Sequence, residues 1–204
     1  MSCLAQPFAD VPAVYSNSMA IDWLFAEKLV EGYTEDGAKV FHPEKAVTRA
    51  AALKMLVGTA GLPLTPVKEE LFPDVPQWQW FAPYVQTAFD AGIVNGYADG
   101  NFHPAAQVTR AEFLAMALRT FEAPFEETED GDWSRPFFDF AIKYRLIKST
   151  DATHQTLNRG DVAELLFRVS QVASNYYQEK FHYSGQGIAS WQGVEYDGKK
   201  MTNG

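Results

Sequence analysis

Residues 96–112 read G-Y-A-D-G-N-F-H-P-A-A-Q-V-T-R-A-E, which joins a turn-rich loop to the start of a helix. Glycine adopts positive φ at little steric cost and proline fixes φ, so we expect a tight loop. Thr109 stands three residues before Glu112, the spacing of a capping box that satisfies two backbone N–H groups. The stretch therefore predicts a helix that begins at Arg110, and its apolar residues then recur every three or four positions.

The same pattern occurs upstream, where Gly32-Tyr33, Phe41-His42-Pro43 and Thr48-Arg49 follow in the same order. The upstream loop is longer, but the distance from its proline to the helix start is the same. A third helix start is visible at Asn158-Arg159-Gly160-Asp161, preceded by a loop without the Asp-Gly and Phe-His-Pro blocks. The sequence thus predicts a repeat with one complete copy, one nearly complete copy and a degenerate third.

These blocks resemble the S-layer homology family, whose repeats run Phe-x-Asp-Val, an aromatic-led helix, Gly-Tyr-x-Asp-Gly-x-Phe-x-Pro and Thr-Arg-Ala-Glu. Phe8-Ala9-Asp10-Val11 and Phe72-Pro73-Asp74-Val75 supply the first block. The resemblance implies a mainly helical, all-α fold with repeats over residues 8–61, 72–123 and 131–180. It also implies that the three repeats are arranged pseudo-threefold around a central three-helix bundle.

Local signals predict where the helices begin and end. The first helix of repeat one is expected over residues 19–30, and Asp10 and Asp74 are expected to cap the first helices of their repeats. Ala51 takes the place of Glu112 in repeat one, so that capping box lacks its returning carboxylate. The predicted caps of the second helices are Thr48, Thr109 with Glu112, and Asn158 with Asp161.

Composition limits the possible functions. The chain has 204 residues, of which 47% are hydrophobic and 14% aromatic, enough for a substantial core. Its net charge of −9 argues against nucleic acid and anionic membranes as partners. A single cysteine, Cys3, excludes a disulfide framework, and the histidines lack the spacing of zinc ligands. No nucleophile–base pairing and no long apolar run is present, so we predict no enzyme, cofactor, metal or membrane span.

An arginine occupies the first turn of each second helix, where unpaired backbone N–H groups and the helix dipole favour anions. A guanidinium also binds a carboxylate with two parallel hydrogen bonds. The family resemblance implies binding of secondary cell-wall polysaccharide, often at a terminal sugar that carries a pyruvate ketal. The alternative, most open for Arg159, is that the arginine only ties loop to helix. The candidate carbohydrate-binding residues are Arg49, Arg110, Arg159, Gly32, Tyr33, Gly96, Tyr97, Asp99, Gly100 and Trp80.

His42 and His103 lie in identical Phe-His-Pro contexts. We expect each ring to face solvent or to pack on the preceding phenylalanine rather than to act in titration.

The C-terminal residues 184–204 show a second resemblance. Gly187-Ile188-Ala189-Ser190-Trp191 is similar to the opening of rare lipoprotein A-type double-psi β-barrels, whereas Gln192 and Met201-Thr202 depart from that pattern. The resemblance implies an incomplete barrel start, because the acidic residue of peptidoglycan cleavage would follow Gly204. A segment this short cannot bury a core, so we expect it to be flexible or loosely docked.

The sequence therefore favours a non-covalent cell-wall anchor that binds an anionic polysaccharide or a peptidoglycan-linked glycan. Such repeats work outside the cytoplasm, so an export signal, which is not visible before Phe8, is expected elsewhere in the gene product. Two alternatives stay open. One is a structural protein–protein adaptor without sugar binding, and the other is the anchor of a peptidoglycan-cleaving domain beyond the chain end.

Overall fold

A computed structural model describes residues 6–123, 131–181, 194–196 and 201–203 of the protein. Helices dominate these residues, as the sequence predicts, and the strands are only three residues long. The elements in chain order are α1 (Ser18–Ala26), β1 (Tyr33–Glu35), β2 (Ala38–Val40), α2 (Arg49–Thr59), α3 (Ala82–Asp90), α4 (Arg110–Thr120), α5 (Arg135–Lys143), α6 (Arg159–Phe181), β3 (Val194–Tyr196) and β4 (Met201–Asn203).

The helices pack in a regular order. Helices α2, α4 and α6 contact one another. Each also packs against one shorter helix: α3 packs on α2, α5 on α4, and α1, from the start of the chain, on α6. The apolar faces meet in one continuous core, whose fully buried members include Leu53, Phe113 and Leu166. Burial of these faces supplies most of the stabilisation, because helices of nine to eleven residues are marginal alone.

Three backbone hydrogen bonds join the segments before α2, α4 and α6 into a ring. The N–H of Val47 donates to the Leu157 carbonyl at 3.1 Å, that of Leu157 to Val108 at 3.0 Å, and that of Val108 to Val47 at 3.1 Å. Each helix start is therefore anchored to both of the others.

The first helix of repeat one ends earlier than the sequence predicts. The helix expected over residues 19–30 is α1, which ends at Ala26 because Lys28 adopts a left-handed φ of 60°. The N–H of Leu29 then donates back to the Leu24 carbonyl at 2.9 Å, the 6→1 bond of a Schellman motif. Gly92 after α3 and Arg145 after α5 also have positive φ. A lysine or arginine in this conformation gives no clear signal in the sequence.

The expected capping role of Asp10 and Asp74 is wrong. The carboxylate of Asp10 accepts the backbone N–H groups of Phe41 at 2.8 Å and His42 at 2.7 Å. Asp74 binds the N–H groups of Phe102 and His103 in the same way, at 2.9 and 2.7 Å. His42 and His103 have positive φ of 59° and 57°. In each turn, two consecutive backbone N–H groups donate to the same aspartate. The aspartates therefore fix the loops rather than the helices.

Gly32 and Gly96 are required for two reasons. Their φ angles are 74° and 75°, in the left-handed region that favours glycine. A Cβ on Gly32 would overlap the Phe8 ring and lie 2.6 Å from the Val40 carbonyl oxygen, and a Cβ on Gly96 would overlap the Phe72 ring. The Phe-x-Asp-Val block thus places its phenylalanine on the glycine and its aspartate on the loop N–H groups.

The two full loops differ in form. In the longer one, β1 and β2 make an antiparallel hairpin whose turn residues, Asp36 and Gly37, have φ of 48° and 80°. In the shorter one, the N–H of Tyr97 bonds directly to the Asn101 carbonyl at 2.8 Å. The predicted barrel start at residues 184–204 lies mostly outside the described residues, although β3 pairs antiparallel with β4.

Candidate functional site

The arginine that begins α6 reaches the first loop of the chain. The Arg159 guanidinium carbon lies 5.4 Å from the ring centre of Tyr33 and 4.5 Å from that of Phe41, and Nε donates to the Phe41 carbonyl at 3.0 Å. Among the described residues, the two terminal nitrogens of Arg159 have no hydrogen-bond partner. Burial lowers the pKa of Arg159, but an arginine still carries its charge near neutral pH.

An open groove of about 660 Å³ lies beside this arginine, between residues 28–33, α2 and α3; we call it the Arg159 groove. Ala51 is among its lining residues, and the Nζ of Lys54 lies 5.7 Å from the Trp80 ring centre and 5.9 Å from that of Tyr84. The charged and aromatic residues that line it are Lys28, Lys54, Arg159, Glu31, Tyr33, Trp80 and Tyr84.

The lining makes the Arg159 groove locally basic in an acidic protein. Three cationic side chains and one carboxylate line the groove, whereas the whole chain carries a net charge of −9. The side chain of Tyr33 is 44% exposed, and its hydroxyl has no hydrogen-bond partner in the described part of the chain. The groove therefore offers cations, a free hydroxyl and aromatic faces to a ligand.

The arginine that begins α2 meets the second loop in a similar way. The Arg49 guanidinium carbon lies 5.0 Å from the Tyr97 ring centre and 4.9 Å from that of Phe102. The Tyr97 hydroxyl donates to Oε1 of Glu112, and Oε2 of Glu112 accepts the Thr109 N–H at 2.9 Å. We call Arg49, Tyr97, Phe102 and Glu112 the Arg49 cluster.

Charge and burial set the electrostatics of the Arg49 cluster. Arg49 is only 7% exposed, and its Nε is buried without a partner among the described residues. Burial opposes ionisation of Glu112, but hydrogen bonds from Thr109 and Tyr97 and the Arg49 charge lower its pKa overall. Burial and the bond to Glu112 raise the pKa of Tyr97 to about 12. The cluster thus contains its own carboxylate.

The third arginine is held by the degenerate loop. Nη1 of Arg110 donates to the Ala152 carbonyl at 2.8 Å and to Oε1 of Gln155 at 3.1 Å, and the side chain is 8% exposed. These bonds tie the degenerate loop to the start of α4.

The expectation of unpaired N–H groups at the helix starts is wrong. The N–H of Arg49 donates to the Ala106 carbonyl at 2.8 Å and that of Arg159 to Lys45 at 2.9 Å. The next N–H in each helix is also bonded to a neighbouring loop, and the third to its cap. At these helix starts, an anion would therefore be attracted by the arginine side chains and the helix dipole and not by free backbone N–H groups.

The other predicted residues have mainly local roles. Asp99 accepts the Asn101 N–H at 3.0 Å and lies 2.8 Å from Nε2 of His103, and Gly100 completes that turn with φ of 81°. The capping bonds are present at Thr48, at Thr109 with Glu112, and at Asn158 with Asp161.

The two histidine side chains are partly exposed to solvent, 30% for His42 and 40% for His103, which agrees with the first of the two expected arrangements and not with packing on the preceding phenylalanines. The His42 ring lies 5.3 Å from the Tyr33 ring and that of His103 lies 4.8 Å from the Tyr97 ring, measured between ring centres. Each is also bonded to a carboxylate of its own loop, Glu35 or Asp99. They therefore support the tyrosines of the two sites.

Sequence reasoning missed Lys28, Lys54 and Tyr84. One signal was available for Lys54: when the second helices are aligned at their arginines, Ala115 and Glu164 occupy its place. A cation in only one copy of a repeat suggests a role that the repeat itself does not require.

Within the described residues, no group of three or more acidic, histidine or cysteine side chains could hold a metal ion. No helix there has the length and apolar composition to cross a membrane.

Comparison with known proteins finds a family match for two segments of the chain. Residues 7–53 and 71–114 match the S-layer homology domain family. Relatives include an endoglucanase of Bacillus sp. (strain KSM-635), 34% identical over 58% of this chain and 12% of its own length. A cell surface protein of Thermoanaerobacter kivui is 25% identical over 90% of this chain and 24% of its own, and the S-layer protein sap of Bacillus anthracis is 26% identical over 84% and 22%. The chain thus spans less than a quarter of these proteins.

Proposed function

We propose that this chain is a non-covalent anchor for an anionic cell-wall polysaccharide, because residues 7–53 and 71–114 match the S-layer homology domain family. The observation that carries the proposal is the Arg159 groove, where a guanidinium with two unbonded terminal nitrogens lies beside Lys28, Lys54 and exposed aromatic rings. Such an arrangement suits a saccharide that bears a carboxylate.

The chemistry of the groove divides into two parts. Arg159 can take both oxygens of a carboxylate, while Lys54 adds a second positive charge. The apolar face of a sugar ring can lie on Trp80 or Tyr33, because an exposed aromatic ring buries apolar area without a polar cost. A terminal sugar with a pyruvate ketal combines the two features, since its carboxylate is held rigidly against the ring.

The proposal includes a third repeat over residues 131–180 and a pseudo-threefold arrangement of all three. The ring of backbone hydrogen bonds among Val47, Val108 and Leu157 supports this arrangement, as does the cyclic packing of first helices on second helices. Matches to the relatives from Thermoanaerobacter kivui and Bacillus anthracis extend over 90% and 84% of the chain, beyond the two segments that match the family.

The names of the relatives support a position at the cell surface. Two are an S-layer protein and a cell surface protein, and a third is an endoglucanase whose matched part is 12% of its length. We propose the same division of labour for the protein that contains this chain. The repeats would anchor, and any catalysis would belong to other segments.

The test is binding to purified wall polysaccharide, measured by calorimetry before and after chemical removal of pyruvate. Arg159→Ala should weaken binding by roughly 100-fold, because a charge-assisted pair is lost from a partly buried site. Arg159→Lys should recover only part of the affinity, since an ammonium lacks the bidentate geometry.

Arg110→Ala is the matched control, because Arg110 occupies the same helix position but is bonded within the protein. It should bind like the parent. Equal binding by parent and Arg159→Ala would reject the Arg159 groove as the binding site, whereas no binding of the parent to any wall fraction would reject the anchoring function. The protein–protein adaptor would then be the better description.

A further inference from the structure

The three second helices differ at one exposed position near their C-terminal ends. Counted from the first arginine of each helix, the same place holds Gly58 in α2, Arg119 in α4 and Arg168 in α6. Nη1 of Arg119 lies 3.5 Å from the Ile93 carbonyl oxygen, and Nη1 of Arg168 donates to the Leu146 carbonyl at 3.2 Å. Ile93 and Leu146 are equivalent, since the N–H of each donates back to the preceding first helix at 2.8 Å. In two repeats, therefore, an arginine side chain reaches the carbonyl that follows the first helix.

Gly58 leaves the corresponding place in repeat one open. Leu29 is the counterpart of Ile93, because its N–H makes the same bond back to Leu24 at 2.9 Å. Among the described residues, no donor is bonded to the Leu29 carbonyl. A Cβ on Gly58 would meet nothing within 4 Å, and Gly58 and Leu29 both line the Arg159 groove. This end of the groove thus has free space and an unused hydrogen-bond acceptor.

The Arg159 groove extends along α2 beyond the length of one sugar ring. Arg159 lies at the N-terminal end of α2, because its N–H donates to the Lys45 carbonyl just before the helix, whereas Gly58 lies in the last turn. Ala51, Lys54 and Gly58 line the groove along one face of the helix, over a rise of about 10 Å. We infer that Gly58 is a specificity-determining residue, which admits a second, uncharged sugar beyond the one that Arg159 holds.

The groups at the Gly58 end of the groove suit the hydroxyl groups of a neutral sugar. The Leu29 carbonyl can accept a hydrogen bond, and its chain neighbours Lys28 and Glu31 also line the groove. This end therefore offers both donors and acceptors, whereas Arg159 offers only donors. This inference rests on the proposed function and adds the size and composition of the ligand, an oligosaccharide in which a neutral sugar follows the terminal acidic one.

The test compares two probes. One is a methyl hexoside that carries a pyruvate ketal, and the other is a disaccharide in which the same ketal sugar is linked to a neutral methyl hexoside. Binding is followed by fluorine NMR of fluorotryptophan at Trp80, whose resonance is assigned with Trp80→Phe. Because Trp80 lines the Arg159 groove, its signal reports this site even when sugar also binds at the Arg49 cluster. The parent should bind the disaccharide roughly tenfold more tightly than the monosaccharide, since additional hydroxyl groups gain partners.

The decisive variants are Gly58→Arg and Gly58→Gln. The first restores the arginine of the other two repeats, and the second fills the space without a charge. Both residues have a higher helix propensity than glycine, so both variants should fold at least as stably as the parent. Each should bind the monosaccharide within about threefold of the parent but lose most of the gain for the disaccharide. Gly58→Ala is the matched control and should keep the gain, because its methyl group meets nothing.

The outcomes separate the inference from the proposed function. If the parent binds the ketal monosaccharide but gains nothing from the second sugar, the inference is wrong and the proposed function stands. The same holds if Gly58→Arg and Gly58→Gln keep the gain, if Gly58→Ala loses it, or if the two larger side chains weaken binding of both probes equally. Failure of the parent to bind either probe also overturns the inference. The proposed function fails with it only when wall polysaccharide is not bound either.

Discussion

The Arg159 groove and the Arg49 cluster are built on the same scaffold but surrounded by different side chains. In both, a phenylalanine packs on a loop glycine, an aspartate binds two loop N–H groups, and an arginine from another segment lies over a tyrosine. Around this scaffold, one site has Ala51, Lys54 and Trp80, and the other has Glu112. Function can therefore diverge at positions that the loop geometry leaves free.

The largest effect should come from the scaffold itself. Gly32→Ala and Gly96→Ala should each lower the free energy of unfolding by roughly 2–4 kcal/mol, because a Cβ is strained at positive φ and overlaps a phenylalanine ring. Chemical denaturation followed by circular dichroism measures the loss. At conditions where both variants are folded, only Gly32→Ala should also weaken wall binding, since Tyr33 is its neighbour.

Gly58→Ala is the control for loss of a glycine without overlap. Gly58 lies in α2, and a Cβ there would meet nothing within 4 Å. Alanine should be neutral or stabilise the helix by up to about 1 kcal/mol. A similar loss of stability in all three variants would contradict the packing argument.

A smaller effect distinguishes two exposed tryptophans, of which Trp80 lines the Arg159 groove. Trp80 precedes α3 and Trp133 precedes α5, and they are 52% and 54% exposed. Trp80→Ala should reduce wall binding roughly tenfold, because an aromatic contact of about 1–2 kcal/mol is lost at the Arg159 groove. Trp133→Ala should change affinity by less than about twofold. Equal losses would contradict a specific role of Trp80 at the Arg159 groove.

The sequence predicts the scaffold well because each of its parts follows a local rule. The second helices begin at Arg49, Arg110 and Arg159 as expected, since capping residues at fixed spacing mark those positions. The glycine positions also follow from turn chemistry. By contrast, the end of α1 depends on Lys28 at positive φ, which no propensity rule predicts.

The candidate site is less predictable because its parts come from distant segments. Arg159 meets Tyr33 and Arg49 meets Tyr97 only when the ring of helix starts is closed. The expected role of Asp10 as a cap is wrong for a related reason, since its true partners are 31 and 32 residues away. Sequence identifies the arginines, but tertiary packing decides which groups surround each guanidinium.

The smallest expected effect is the pH dependence that Glu112 gives to the Arg49 cluster. The pKa of this carboxyl is lowered in the folded state, so its contribution to stability is present above the ordinary glutamate pKa of about 4.3 and is lost as pH falls through the folded value. Glu112→Gln removes that charge at every pH. At neutral pH the parent should exceed the variant in unfolding free energy by less than about 1 kcal/mol, the usual value of a carboxylate at a helix start. Urea titrations at pH values from about 3 to about 7, which include the ordinary glutamate pKa, measure the difference in unfolding free energy between the parent and Glu112→Gln. The two curves should converge toward acid, whereas a constant difference would show that the charge of Glu112 is not coupled to Arg49 and Tyr97.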